Sequence, residues 1–416
     1  MTRTAPRRLH NFRRDSRADL FRLIHREQQT TRTRLAHLTG LSKAAVSGIV
    51  GGLIDEGLVR EAGKHQPGRG RSQVLLEVEP RARLVLGAQL GDDACTVVLA
   101  DLNARIVDEV ATPVLGTRPH DFLDATCAAV AQLLPRATSP VLGLGVGVPG
   151  SLDAAGRRIQ VLVPHGWSDV PLPEMIEERL GLPVQAANRA KVAALGEHWH
   201  RRGQGIEHLA YVHAGRGIIA GLVLDGALYF GHGGRAGELG HVTILPDGPM
   251  CDCGNRGCLH TLASGSAIVR RFRAKARLAD LVDIVHASNS ASDQDALESI
   301  LNAALAGDPL ALDVLAEVGQ YLGIAIANLI NMFNPQVVVV GGMVGRIGDP
   351  LLEPIRREVR RRALPDPLIG LEIVPPAFPG EEAGAIGAAA LFLAQLDNSA
   401  LIAETGYVPR RTMVAQ

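Results

Sequence analysis

The spacing of apolar positions divides the chain near residue 83. Ahead of it, Leu20, Phe21, Leu23 and Ile24 lie on or near one face of a segment over 17–28, which reads as a helix with Ser16 as its N-cap. A shorter helix runs through 34–38 and breaks at Gly40. Ser42 is placed to cap a third, in which Val46, Ile49, Val50 and Leu53 recur at helical spacing until Gly57 stops it. LVREAG then reads as a strand, KHQPGRGRS as a polar, Gly-rich tip and QVLLEVE as the returning strand. Helix, short helix, turn, helix and β-hairpin together predict a winged helix-turn-helix over 1–82.

Beyond Leu84 the pattern is different. LVLGAQLGDDACTVVLADLNARIVDEV reads as strand, Gly-containing turn, strand, Asp-Leu-Asn turn and strand. A helix over 119–135 and the strand VLGLGVGVPG follow. HLAYVHAGRGIIAGLVLDGALYFG and QVVVVGG repeat that style farther along, with helices near 190–200, 264–276, 293–305 and 309–333. The alternation predicts an α/β protein with mixed sheets, and two strand sets imply two lobes with a ligand cleft between them. In the longest helix Ala311, Val314, Val318, Leu322, Ala325 and Leu329 keep helical spacing, which suits a core, or less readily an oligomer interface.

Composition narrows the class. Apolar residues make up 46% of the 416, enough for two or three ordinary cores. With no run of about 18 apolar residues, a membrane span is not expected. The basic start MTRTAPRRLHNFRRD lacks the apolar stretch of a signal peptide, so a cytoplasmic location is expected. Net charge is zero but unevenly spread: residues 1–83 hold 17 Lys+Arg against 8 Asp+Glu, the rest 26 against 35. A basic head on an acidic body suggests that the head meets a polyanion. Ser42, Lys43, Ala44 and Ser47 occupy the face of the third helix that its apolar stripe leaves free, and being small or basic they let that helix approach base edges in the major groove. Arg69 and Arg71, beside Gly68 and Gly70, suit a wing lying along phosphates or in a minor groove. The competing reading, a three-helix protein-interaction module, gives no reason for the basic wing.

The stretch GRAGELGHVTILPDGPMCDCGNRGCLHTLASG closely resembles the signature region of the ROK family, named for repressors, open reading frames and kinases. The resemblance extends through GLGVGVPGSLD, NRAKVAALGEH, NPQVVVVGG and GEEAGAIGAAAL, nearly the whole chain. It implies an actin-like, ribonuclease-H-like pair of lobes: lobe 1 over 83–186, completed by a C-terminal helix near 385–398, and lobe 2 over 187–384. The family pairs sugar kinases with sugar-responsive repressors, which add a winged helix-turn-helix.

Cys251, Cys253 and Cys258, with His241 ten residues before the first, supply three thiolates and one imidazole, a closed tetrahedral set for structural zinc. A disulfide is the alternative, and a cytoplasmic setting argues against it. In the family the matching residues bind zinc. Cys95 and Cys127 lie alone in apolar stretches and are expected to be buried.

In ROK kinases the catalytic base is an aspartate that follows an asparagine. Here the pair is Asn188-Arg189, and a guanidinium stays protonated at any accessible pH, so Arg189 cannot accept a proton. The two nucleotide loops also depart from the family's Asp-x-Gly-Gly-Thr and Gly-Thr-Gly-x-Gly: they read Gln89-Leu90-Gly91-Asp92-Asp93 and Gly215-Arg216-Gly217-Ile218-Ile219. Catalysis is therefore not expected. Asn188, Glu238 and His241 stand where the family contacts sugar hydroxyls, and Gly150 matches its substrate loop. Where the family motif ends Cys-x-Glu, this chain has His260. Exchange of two carboxylates for Arg189 and His260 suggests an effector with negative charge, such as a sugar phosphate or sugar acid. That Arg189 points away or pairs with a local carboxylate is an equal alternative.

The expected protein is a sugar-responsive, DNA-binding repressor with structural zinc, a homodimer or tetramer in which ligand changes the spacing of two heads. The rivals are a sugar kinase with an attached head, and a sensor whose body binds a protein.

Overall fold

The computed structural model describes residues 16–65, 72–91, 93–162, 165–201, 204–278, 292–378 and 382–396. In the head, α1 (Ser16–Glu27) buries Leu20, Phe21, Leu23 and Ile24, the stripe its spacing predicts. Ser16 is the first helical residue rather than the expected cap, so the capping position precedes it, outside the described residues. Thr31 Oγ1 accepts from the backbone N–H of Arg34 at 3.2 Å to start α2 (Arg32–Thr39), which Gly40 ends at φ +73°. Ser42 Oγ accepts from Ala45 N at 3.1 Å, satisfying one open donor of α3 (Lys43–Asp55). Val46, Val50 and Leu53 of that helix are fully buried and Ile49 half-buried. The strands β1 (Val59–His65) and β2 (Gln73–Val78) pair antiparallel with Val59 opposite Val78. Thr30 exchanges both backbone hydrogen bonds with Leu76, at 3.0 and 2.8 Å, adding a third rung beside the hairpin. The tip with Arg69 and Arg71 lies outside the described residues.

Two five-stranded sheets follow. The first is built from β3 (Leu84–Leu90), β4 (Ala94–Asp101), β5 (Ile106–Pro113), β6 (Val141–Val148) and, later in the chain, Val184–Asn188. Between β5 and β6 the chain crosses over through α4 (Pro119–Leu133). Then come β7 (Ser151–Leu152), an antiparallel pair of β8 (Ile159–Leu162) and β9 (Trp167–Val170), the helix α5 (Leu172–Leu180) and the fifth strand, β10 (Val184–Asn188). The order of this sheet is β10-β6-β3-β4-β5; β4 runs antiparallel to both β3 and β5, and β6 parallel to β3. Every residue of β3 and β6 is buried, whereas β5, at the edge, is exposed or half-buried throughout.

After α6 (Arg189–His200), the second sheet uses β11 (Leu209–Ala214), β12 (Ile218–Leu224), β13 (Ala227–Leu228), β14 (Val337–Gly341) and β15 (Glu372–Val374), in the order β13-β12-β11-β14-β15. Three strands form a meander, and the fourth returns parallel to the first. Numbered within each sheet, both orders are 5-4-1-2-3. The two strand sets that were legible as a repeated style are thus one topology used twice. The return to β14 runs through α7 (Leu259–Ala263), α8 (Gly265–Leu278), α9 (Asp293–Leu305) and α10 (Pro309–Phe333). Beyond β14 lie α11 (Gly342–Gly345), α12 (Asp349–Arg362) and, last, α13 (Glu382–Ala394).

The chain divides into two compact units: Met1–Val148 with Arg157–Ala187 and Ala388–Gln416, and Pro149–Gly156 with Asn188–Gly387. Within the first, the head joins the sheet through Leu102 N to Pro80 O at 2.9 Å, and Arg22 Nη1 donates to Leu396 O at 2.9 Å. Within the second, α10 fills the core: Ala311, Val314, Val318, Leu322, Ala325 and Leu329 are all buried, against α12 and β14 among others. By length and composition α10 is apolar enough to cross a membrane, but this burial accounts for its stripe.

Candidate functional site

On α3, Ser42, Lys43, Ala44 and Ser47 are all exposed, at the helix end whose unpaired N–H groups carry positive character. Ala45 and Gly48, which the sequence reading passed over, are exposed among them. Nothing lies within 4 Å of where a Cβ on Gly48 would stand. This is a face of short side chains with one cation, low enough for a helix to seat deeply in a groove.

The residues expected to meet a sugar all fall in the second unit. Asn188, 8% exposed, is the N-cap of α6: its Oδ1 accepts from Ala190 N at 2.9 Å and its Nδ2 donates to Gly150 O at 2.7 Å. Gly150 holds φ +80°, which glycine adopts without strain. Gly150 and Asn188 are therefore joined, and both polar groups of the amide are engaged within the protein. Arg189, half-buried, is the first residue of α6. Glu238 and His241 are exposed; Glu238 precedes a single 3-10 turn (Leu239–His241) and His241 ends it. His260 is half-buried on α7, its ring stacked at 22° to that of His241 with centroids 6.1 Å apart. Burial pushes the His260 imidazole below its ordinary value, and His241 adds to the effect. No sequence signal singled out Lys191, which is 3% exposed; its Nζ donates to Gly234 O and it feels the charge of Glu238.

His241, Cys251, Cys253 and Cys258 bring one ligand atom each to within 4.8 Å of one another. Cys253 Sγ lies 3.7 Å from Cys258 Sγ, and His241 Nδ1 3.8 Å from Cys251 Sγ. A disulfide needs about 2.05 Å between sulfurs, and all five cysteines are free. A tetrahedral ion with metal–sulfur bonds near 2.3 Å sets its sulfurs about 3.8 Å apart, close to the Cys253–Cys258 separation. The turn closes because Gly257, at φ +65°, sits where a Cβ would fall 1.5 Å from Leu245 O. Backbone N–H donation at Asn255, then Cys251, draws the Cys253 thiol down to about 7, while burial pushes Cys258 up to about 12. Cys95 is buried and Cys127 half-buried.

The Gly215-Arg216-Gly217 turn borders a cavity of about 270 Å³ lined also by Gly265, Ser266, Asp293 and Met343. Arg216 Nη2 donates to Gln294 Oε1, and both line that cavity. In the other loop, Gly91 is buried, Asp93 exposed, and Asp92 outside the described residues.

The sequence pattern of the ROK family matches residues 85–395. The chain is 31% identical over 337 residues to the xylose repressor of Caldicellulosiruptor bescii, covering 80% of this chain and 84% of that protein. It is 38% identical over 320 residues to a glucokinase of Halalkalibacterium halodurans, covering 73% of this chain and 93% of the glucokinase. The solved structure of a ROK family transcriptional regulator, a homologue of the E. coli MLC protein, superposes with a TM-score of 0.71 at 26% identity, over 91% of this chain and 96% of that one. The regulator spans nearly the whole chain; the glucokinase leaves more than a quarter of it unmatched.

Proposed function

The chain belongs to the ROK family, and we propose that it is a DNA-binding transcriptional repressor whose hold on an operator is set by a sugar or sugar derivative. The observation that carries the reading is the head: a winged-helix hairpin with a low, exposed face formed by Ser42, Lys43, Ala44 and Ser47 at the start of α3, on a chain that aligns with a regulator nearly end to end. Ser42, Lys43, Ala44 and Ser47 would face bases, while Arg69 and Arg71 of the wing would meet phosphates. Effector contacts would come from Gly150, Asn188, Arg189, Glu238, His241 and His260, with Arg189 favouring an anionic sugar and His260 adding to it only when protonated, which its burial disfavours. Ligand would shift a two-state equilibrium of a homodimer or tetramer and so change the spacing of its heads.

The body would bind without catalysing. The residue after Asn188 is an arginine, which has no basic lone pair to accept the proton of an attacking hydroxyl. Arg216, bonded to Gln294, stands in the turn that would have to cradle phosphates. Zinc held by His241, Cys251, Cys253 and Cys258 would leave no open coordination position, so its contribution is to fix the turn that follows Glu238. His241 would bind it through Nδ1, leaving Nε2 for the effector. The glucokinase likeness supports a second reading, a sugar kinase with an attached head.

Calorimetric titration with xylose, glucose and their phosphates, beside an ATP phosphotransfer assay on the same sugars, separates the readings. Binding without turnover, weakened by Arg189→Ala for a phosphorylated sugar only, is expected. Turnover would establish the kinase; tighter binding of a neutral sugar, unaffected by that substitution, would remove the anionic effector.

A further inference from the structure

Lys191 is one of four lysines in a chain with 39 arginines. It occupies the first turn of α6, where the helix dipole disfavours a cation, and it is 3% exposed, which disfavours any charge. Burial accordingly pushes its ammonium below the ordinary lysine value, with Glu238 pulling it partly back. What compensates is local. Nζ donates to Gly234 O and stands 5.8 Å from the centre of the Phe230 ring. Both partners belong to the segment that leads into Glu238.

That segment has little stiffness of its own. Gly231, Gly233, Gly234 and Gly237 all have positive φ, and at Gly237 a Cβ would fall 1.9 Å from Ala220 O. Within it, Ala236 N donates to Phe230 O at 2.9 Å and Gly234 N to Gly231 O at 3.4 Å, and from β12 Ala220 N donates to Gly237 O at 2.7 Å. Between those ties, Lys191 adds a side-chain bond from outside the segment, to the Gly234 carbonyl.

We infer that Lys191 is a positioning residue for Glu238: its buried ammonium clamps the Gly234 carbonyl from α6 and offsets the nearby carboxylate, so that the glycine-rich segment presents Glu238 in one place. The effector part of this inference rests on Glu238 being a sugar contact; the clamp itself does not.

The test uses full-length protein carrying Lys191→Met, which keeps the aliphatic volume, and Lys191→Arg, which keeps a cation and a donor. Amide hydrogen exchange is read across 231–238 and across α10 without sugar. Lys191→Met is expected to speed exchange in 231–238 by about tenfold or more, the scale of a lost charge-assisted bond, with α10 unchanged and Lys191→Arg restoring most of the protection. Should Lys191→Met fail to accumulate, Lys191→Gln, with one donor and no charge, is read the same way. Wild-type exchange in Lys191→Met, an equal rise in α10, or an arginine variant as open as the methionine one would overturn the clamp. Calorimetry with xylose, glucose and their phosphates then reads the consequence: about tenfold weaker binding of whichever sugar the wild type takes. If the wild type takes none, the effector reading of Glu238 fails while the exchange result still decides Lys191.

Discussion

Removing the Asn188 side chain tests how much of this site is held by its own framework. Asn188→Ala deletes two bonds at a residue only 8% exposed: the cap from Ala190 N at 2.9 Å and the donation to Gly150 O at 2.7 Å. Loss of an Asn cap costs about 1 kcal/mol, and the stranded Gly150 carbonyl adds roughly another 1 kcal/mol. Asn188→Asp keeps the cap acceptor and loses the donor, so it should cost about half as much as the alanine change. The chain has two tryptophans, and Trp199 lies on α6 itself. In a Trp167→Phe background, urea unfolding followed by Trp199 fluorescence therefore reports on this helix. Midpoints should fall in the order wild type, Asn188→Asp, Asn188→Ala, with slopes unchanged. An alanine variant within about 0.5 kcal/mol of wild type, the ordinary scatter of surface substitutions, would refute the argument that Asn188 ties α6 to the Gly150 turn.

Other consequences follow from the same geometry. Metal analysis should find one zinc per chain, and chelation or Cys258→Ser should speed amide exchange over 241–258 first; a fully loaded Cys258→Ser protein would contradict the four-ligand set. Lys43→Ala should weaken operator binding mainly through lost discrimination at one base position, whereas a uniform loss across all sequences with the salt slope of log K lowered by about 1 would make Lys43 a phosphate contact instead. Leu322→Ala, at a fully buried position of α10, should cost about 2–5 kcal/mol in urea unfolding and leave the oligomeric state unchanged, since the stripe is core.

Much of the architecture was legible because period and punctuation agree. Val46, Val50 and Leu53 recur at helical spacing between a serine cap and Gly57, and they form the buried side of α3. VLGLGVGV and VVVVG are short apolar runs between turn residues, and each became a fully buried strand. The cysteine set was legible because three thiols and an imidazole close in sequence have few joint uses other than holding a metal ion. Contacts made across the chain were not legible. Nothing in NRAKVAAL distinguishes the half-buried Arg189 from the buried Lys191 two residues later, because helix periodicity does not say what packs over a first turn. The engagement of the Asn188 amide nitrogen depends on Gly150, 38 residues earlier. Ala45 and Gly48 went unremarked because small side chains carry no chemical signal, although on a groove-facing helix their smallness is the useful property.

The most direct measurement is selection of genomic fragments by the full-length protein, followed by anisotropy of a selected fragment with and without sugars. The account predicts a recurring sequence bound far more tightly than bulk DNA, and its release or altered affinity on adding one class of sugar. Fragments bound no better than bulk DNA, or an operator affinity indifferent to every sugar tried, would contradict it.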